Sequence, residues 1–132
     1  GAVASHDVSV PLAAIPALVE RGGAVLSRIE PGLRVNAFGH MGDGNLHYNV
    51  FPPDGVAAAD CAALRGSVSE AVHDVVHALD GSISAEHGIG RLKTADLARY
   101  GDPGKLAAMR AIKSALDPAG VMNPGAVLTQ QS

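Results

Sequence analysis

The chain has 132 residues, of which 47% are hydrophobic and 17% charged, with a net charge of −3 at pH 7. This composition predicts a globular domain with a real core and excludes a disordered segment. No Lys/Arg run and no bilayer-length apolar stretch occurs, which argues against nucleic-acid binding and a membrane span. The N-terminus lacks a signal-peptide pattern, and the single Cys61 cannot form an internal disulfide, so we expect a cytosolic protein. The chain begins almost inside a strand, and we expect one domain cut from something longer.

The N-terminal part of the chain predicts a strand, a helix and a hairpin. A short strand at residues 8–11 precedes a helix over residues 16–29, whose first residue is a proline, a favoured first helical residue. Residues 33–51 read strand, turn, strand, and Asp43 with Gly44 is a dipeptide favoured in two-residue hairpin turns.

The C-terminal part predicts a long helix over residues 57–79, a short strand at residues 82–84 and a glycine-hinged loop at residues 86–90. A last helix begins near Asp102, a good N-cap, and closes at Asp117. The order of elements predicts an α+β fold: a ferredoxin-like antiparallel sheet with helices on one face, plus a C-terminal helix.

The hairpin carries the physical argument for a site. If Asp43 and Gly44 form the turn, His40 lies directly opposite His47. Opposed Cβ atoms in a sheet are about 4.5–5.5 Å apart, so both imidazoles could converge on one divalent ion. Side chains alternate along a strand, and this register predicts one apolar face and one polar face. The polar face comprises Asn36, Phe38, His40, Asn45, His47 and Asn49.

A divalent ion held by two histidines generally takes a carboxylate as well. Glu86 is the best candidate, because it follows a predicted strand and can reach the polar face of the sheet. Asp43 is the competitor, although a turn aspartate commonly bonds to its own backbone. His87 follows Glu86 directly and is a candidate general base.

Other interpretations stay open at this point. A histidine pair on a hairpin is often a surface or hydrogen-bonded pair and not a metal site. His73 and His77 form a second pair at helical i, i+4 spacing, which can bind metal. They fall off the apolar stripe beside acidic residues, and we interpret them as part of a solvated face.

Three segments resemble the motifs of a known family. They are residues 39–47 (GHMGDGNLH), residues 80–90 (DGSISAEHGIG) and residues 116–125 (LDPAGVMNPG). Together they resemble the FAD-linked oxidase C-terminal domain of vanillyl-alcohol-oxidase-type flavoproteins. That family includes D-lactate dehydrogenases, the glycolate oxidase D subunit and D-2-hydroxyglutarate dehydrogenases. The motifs stand in the family's order and spacing, and the resemblance covers essentially the whole chain.

The resemblance implies a role for several residues. His40, His47 and Glu86 correspond to ligands of a divalent metal, for which we expect zinc. His87 corresponds to the catalytic histidine beside the flavin, and Asn45 to a substrate contact. The implied cofactor-binding residues are Glu86, His87 and Asn123. The implied reaction oxidises a small 2-hydroxy acid, and a hydride passes from the hydroxyl-bearing carbon to FAD.

Departures from the family pattern limit these expectations. His6 stands at a substrate-binding position where the 2-hydroxyglutarate enzymes often have lysine, which argues against a dicarboxylate substrate. Ala126 stands where many members have lysine. The family's FAD-binding domain is not among these residues, so we expect the chain alone to be inactive and the FAD domain of its parent chain to be its partner.

Two other functional hypotheses remain alongside the dehydrogenase. One is a non-catalytic metal-binding or interaction module on the same scaffold. The other, weaker hypothesis is a stand-alone metallohydrolase, since zinc hydrolases also use two histidines and a glutamate. A truncated chain could also form a homodimer through apolar surface that another domain normally covers. The electron acceptor stays unknown.

Overall fold

The sheet of this protein has three antiparallel strands, which lie in the order β1, β3, β2. The computed structural model describes residues 1–129. The strands are β1 (Ala4–Ser9), β2 (Arg34–Phe38) and β3 (Asn45–Phe51). Two compact units are present, one comprising Gly1–His87 and the other beginning at Gly88. The sheet belongs to the first unit, and the fold is α+β as predicted.

Two helices, α1 (Ile15–Ile29) and α2 (Arg65–Ala78), pack on the sheet and complete the core of the first unit. The apolar face predicted for the hairpin is confirmed for Leu46, Tyr48 and Val50, which are buried, and Val35 and Ala37 pack against the core. Met41, predicted on the same face, is exposed in the turn. Helix α2 begins later than predicted, since residues 57–64 form turns and a short 3-10 segment. The largest fully buried side chains are Tyr48, Leu18, Leu26, Leu46, Val8, Val50, Val68, Val72 and Val76.

The close approach of α1 to the sheet depends on Gly22. This glycine is buried, and a Cβ atom at its position would collide with the hydroxyl group of Tyr48. The neighbouring Gly23 has open space where a Cβ would stand. Glycine is a poor helix former, and of this pair only Gly22 is required by packing against Tyr48.

The predicted fourth strand is reduced to a single antiparallel bridge between Ser9 and Ser82. The Ser82 amide donates to the Ser9 carbonyl at 2.8 Å, and the Ser9 amide donates to the Ser82 carbonyl at 3.0 Å. Three residues later, the amide of Ala85 donates to the carbonyl of Asp7 at 3.2 Å. The chain therefore returns along the free edge of β1, which brings Glu86 and His87 beside that strand.

The hairpin register differs from the prediction by two residues. Phe38, and not His40, lies opposite His47. Residues 39–44 form a longer connection, in which the amides of Asp43 and Asn45 both donate to the carbonyl of His40. The Val10 amide bonds the Gly44 carbonyl, and a Cβ on Gly44 would strike Val10. Packing of the turn against this neighbouring segment therefore overrides the two-residue turn preference.

The second unit contains two helices, α3 (Thr94–Tyr100) and α4 (Pro103–Leu116). Helix α3 was not predicted, whereas α4 begins and ends as expected. Asp102 caps α4, because its Oδ1 atom accepts a hydrogen bond from the Lys105 amide at 2.8 Å. At the other end, Asp117 accepts from the Lys113 side chain at 2.6 Å, which lowers the pKa of the Asp117 carboxyl. Among residues 1–129, no helix is long and apolar enough to cross a membrane.

Candidate functional site

A cluster of polar side chains lies where the hairpin connection and the residues after the Ser82 bridge meet. One half of the cluster is built around Glu86. Its Oε1 atom lies 3.0 Å from Nδ1 of His40 and accepts a hydrogen bond from Nδ2 of Asn45 at 2.5 Å. The Glu86 side chain is 42% exposed and that of His40 is 69% exposed, so this part of the cluster is open to solvent.

The other side of the cluster is built around His47. It lies partly buried in β3, with the ring of Phe38 at 5.3 Å between centroids. The ring of His87 stacks on His47 at a centroid distance of 5.8 Å and an interplanar angle of 23°. The His87 side chain is 65% exposed, so one of its sides faces away from the protein core.

Asp7 joins these two sides, and the sequence argument missed it. It is the direct cross-strand partner of His47, yet its side chain is only 4% exposed. Its Oδ2 atom accepts hydrogen bonds from the amides of Glu86 at 2.9 Å and His87 at 2.8 Å. The predicted first strand began at residue 8 and left Asp7 outside it, whereas β1 begins at Ala4 and includes Asp7, although aspartate is depleted in strands.

The donor atoms of this cluster fit a divalent cation. Asp7, His47 and His87 each offer one ligand atom, and these atoms all lie within 4.8 Å of one another. His40 and Glu86 add an imidazole nitrogen and a carboxylate oxygen 3.0 Å apart. Mixed imidazole and carboxylate donors suit zinc, iron or manganese, so the ligand types do not choose among these metals.

The structure gathers most of the predicted site residues, although by another route than the one predicted. His40 does not face His47 across the hairpin, and that part of the prediction was wrong. His40 instead reaches Glu86 from the hairpin connection. Asn45 is buried at the start of β3 and donates to the same carboxylate oxygen. Asp43 is exposed, within the 3-10 turn Met41–Asp43.

His6 is not among the residues at this site. It is buried on the helix-covered side of β1, where its Nδ1 atom lies 2.8 Å from the Tyr48 carbonyl and Nε2 lies 3.1 Å from the Ser69 hydroxyl. Alternation along β1 places His6 and Asp7 on opposite faces. The ring of His6 is therefore part of the core, and its contact with substrate stays a prediction that its burial does not support.

His73 also departs from its prediction. It is buried on α2, and its ring meets that of His6 edge-on at 5.3 Å, so it is not part of a solvated face. His77 is exposed, as predicted. Asn123 lies in the second unit, exposed in a turn with a left-handed φ of 46°.

Comparison with known proteins assigns this chain to a family. The pattern of the family "FAD linked oxidases, C-terminal domain" matches residues 1–127. The chain belongs to this family. It is 43% identical over 120 residues to a D-2-hydroxyglutarate dehydrogenase of Xanthomonas citri pv. viticola, covering 91% of this chain and 25% of that protein. The family resemblance of the three motifs is thus confirmed.

Two further relatives show the same partial coverage. A D-2-hydroxyglutarate dehydrogenase of Stutzerimonas stutzeri is 36% identical over 92% of this chain and 26% of its own length. An uncharacterized FAD-linked oxidoreductase of Mycobacterium tuberculosis is 35% identical over 92% of this chain and 24% of its own length. The chain therefore spans about a quarter of the length of the curated relatives it matches.

Proposed function

We propose that this chain is the substrate- and metal-binding part of an FAD-dependent 2-hydroxy-acid dehydrogenase. The observation that carries the proposal is the convergence of two sequence-distant segments on one site. His40 and Asn45 from the hairpin both meet the Glu86 carboxylate, and His47 stacks against His87. Family membership supports the reaction class, and the site supplies side chains of the required chemistry.

We assign the metal to His40, His47 and Glu86. Glu86 is the accessible carboxylate of the cluster, and His40 already lies against it. A divalent cation at these residues would supply a Lewis acid that polarises the substrate hydroxyl. The chain's own contribution is to bring imidazole and carboxylate donors from two segments into one solvent-exposed cluster, with Glu86 against His40 and His47 against His87. Zinc stays our expectation for the metal.

Asn45 is the best candidate for contact with the substrate. Its Nδ2 atom is committed to Glu86. Its Oδ1 atom is buried, and within residues 1–129 no hydrogen-bond partner is found for it. A buried acceptor generally has a donor, so this oxygen is suited to receive a substrate hydroxyl or a bound water.

His87 is the proposed proton acceptor. Its side chain is 65% exposed, its backbone amide donates to Asp7, and its ring stacks on His47. An imidazole nitrogen in this position can take the proton of the substrate hydroxyl as the neighbouring C–H bond breaks. FAD, when bound, would supply the hydride acceptor for that carbon. Glu86, His87 and Asn123 remain the residues proposed to lie near the cofactors, and a separate FAD domain is the proposed partner.

The substrate is proposed to be D-2-hydroxyglutarate, by similarity to the relatives that carry this name. The sequence argument against a dicarboxylate depended on His6, and that residue is buried in the core. D-lactate and glycolate are the competing substrates. For the compartment, our proposal is the cytosol, since the only cysteine is a buried thiol; some relatives are named as mitochondrial proteins.

The test uses the full-length natural protein that contains this chain. The three hydroxy acids are offered with a dye as electron acceptor, and metal content is measured after dialysis. Wild-type protein is expected to oxidise one acid and to retain one divalent ion per chain. His40→Ala and His47→Ala are expected to lose both properties, whereas His77→Ala, an exposed histidine on α2, keeps both. Unchanged metal content and activity in both site variants would overturn the proposal.

A further inference from the structure

Asp7 has an unusual environment for a strand aspartate. The β1–β3 register pairs it with His47, and alternation places it on the face opposite the buried Val8. Its side chain is only 4% exposed although it carries a carboxylate. Burying a carboxylate is costly unless hydrogen bonds compensate, so the partners of Asp7 indicate why it is there.

Those partners are backbone amides of the two residues that carry the proposed chemistry. Oδ2 of Asp7 accepts from the Glu86 amide at 2.9 Å and from the His87 amide at 2.8 Å. The carbonyl of Asp7 also accepts from the Ala85 amide at 3.2 Å. Asp7 thus accepts from three successive amides, one at its carbonyl and two at Oδ2, and the two amides that converge on Oδ2 form an anion-binding concavity around it.

The same oxygen lies beside the imidazole of His87. Its distance to Nδ1 of His87 is 3.7 Å, which exceeds a hydrogen bond but brings a negative charge next to the ring. Asp7 therefore acts on His87 at two points, the backbone amide and the ring edge. Only the first of these is a hydrogen bond.

We propose that Asp7 is the positioning residue of the site: it holds the Glu86–His87 peptide so that Glu86 reaches His40 and His87 lies against His47. This inference rests on the proposed function for the roles of Glu86 and His87. Asp7 itself is placed outside the reacting atoms. Its Oδ2 atom already accepts two amides and its side chain is buried, whereas the Glu86 carboxylate is the more exposed of the two.

The competing role for Asp7 is that of a metal ligand, together with His47 and His87. The two roles make different predictions. A positioning residue keeps the backbone around Glu86 and His87 ordered even when no metal is bound. A ligand controls metal content first, and its loss leaves the metal-free backbone unchanged.

The experiment measures hydrogen–deuterium exchange of the peptide covering residues 82–90 in the metal-free, full-length protein. Asp7→Ala is expected to raise exchange at the Glu86 and His87 amides by about tenfold or more, since it removes a charged acceptor. Asp7→Asn keeps one acceptor oxygen in the same place and is expected to restore most of the protection. Asp54→Asn, an exposed carboxylate paired with Arg34, is the matched control and is expected to leave exchange unchanged.

Metal content and steady-state kinetics separate the two roles. For Asp7→Ala we expect kcat and metal affinity to fall by about 10- to 100-fold, as for other residues that orient ligands. For Asp7→Asn we expect metal content near that of the wild type. Unchanged exchange in Asp7→Ala overturns the proposal. Loss of metal in Asp7→Asn as complete as in Glu86→Gln, with normal exchange, also overturns it and makes Asp7 a ligand. Because exchange needs no substrate, its result stands even if no hydroxy acid is oxidised.

Discussion

Nδ1 of His40 lies 3.0 Å from Oε1 of Glu86, although the two residues are 46 positions apart in the chain. Asn45 donates to the same oxygen. His40 in the connection between β2 and β3 and Asn45 at the start of β3 therefore both contact the Glu86 carboxylate. This contact joins the first and second sequence motifs.

Replacing Glu86 with glutamine is expected to lower metal affinity by at least about tenfold, because the neutral amide is a poorer ligand than a carboxylate. Metal retained by the full-length protein after dialysis measures the effect. Asp43→Asn is the matched control, since Asp43 is an exposed carboxylate in the same hairpin connection. Equal metal loss in both variants would contradict the assignment of the carboxylate ligand.

Gly22→Ala and Gly23→Ala form a matched pair on α1. A methyl group at Gly22 meets the Tyr48 hydroxyl, and overpacking of this kind costs about 1–3 kcal/mol. The same methyl group at Gly23 meets open space, and the gain in helix propensity is up to about 1 kcal/mol. The midpoint temperature of thermal unfolding is expected to fall for Gly22→Ala and to rise for Gly23→Ala. Shifts of the same sign and size would refute the packing role of Gly22.

Tyr48 is expected to make stability fall at high pH. Burial raises the pKa of its phenol from 10.0 to about 12. The folded state therefore holds this proton more tightly than the unfolded state. The resulting stability is complete below pH 10 and is lost as the pH rises from about 10 to about 12.

Tyr48→Phe tests this dependence through the unfolding midpoint at about pH 8 and about pH 11. The variant is expected to lose less stability between the two pH values than the wild type. At about pH 8 we expect a change within about 1 kcal/mol, because within residues 1–129 no hydrogen-bond partner of the Tyr48 hydroxyl is found. Tyr100→Phe is the control, and an identical pH response in all three proteins would exclude Tyr48 as the cause.

Asp102→Ala is expected to destabilise α4 by about 1 kcal/mol, since it removes the acceptor for the Lys105 amide. Asp102→Asn keeps an acceptor and is expected to change little. Hydrogen exchange at the first turn of α4 measures the effect locally. Faster exchange in both variants, or in neither, would show that the side chain is not what holds this helix start.

Much of the fold can be predicted from local sequence, whereas the turn of the hairpin cannot. The polar–apolar alternation of β2 and β3 and the N-cap of α4 were predicted from residue patterns and are confirmed. The turn was predicted from the Asp43–Gly44 dipeptide alone. It was wrong because the contact of Gly44 with Val10 favours a longer connection, and that contact joins segments distant in sequence.

The sequence by itself determined which residues share a face. A two-residue change of register leaves the alternation of a strand intact, so His47 lies on the polar side in both the predicted and the observed register. Only the tertiary structure decided which of these residues meet. Asp7 reaches Glu86 and His87 because β1 pairs with β3 and the chain returns along the edge of β1. His6, one residue away, lies in the core because side chains alternate between the two faces of the strand. Long-range pairing and helix packing set these contacts, and no short stretch of sequence encodes them.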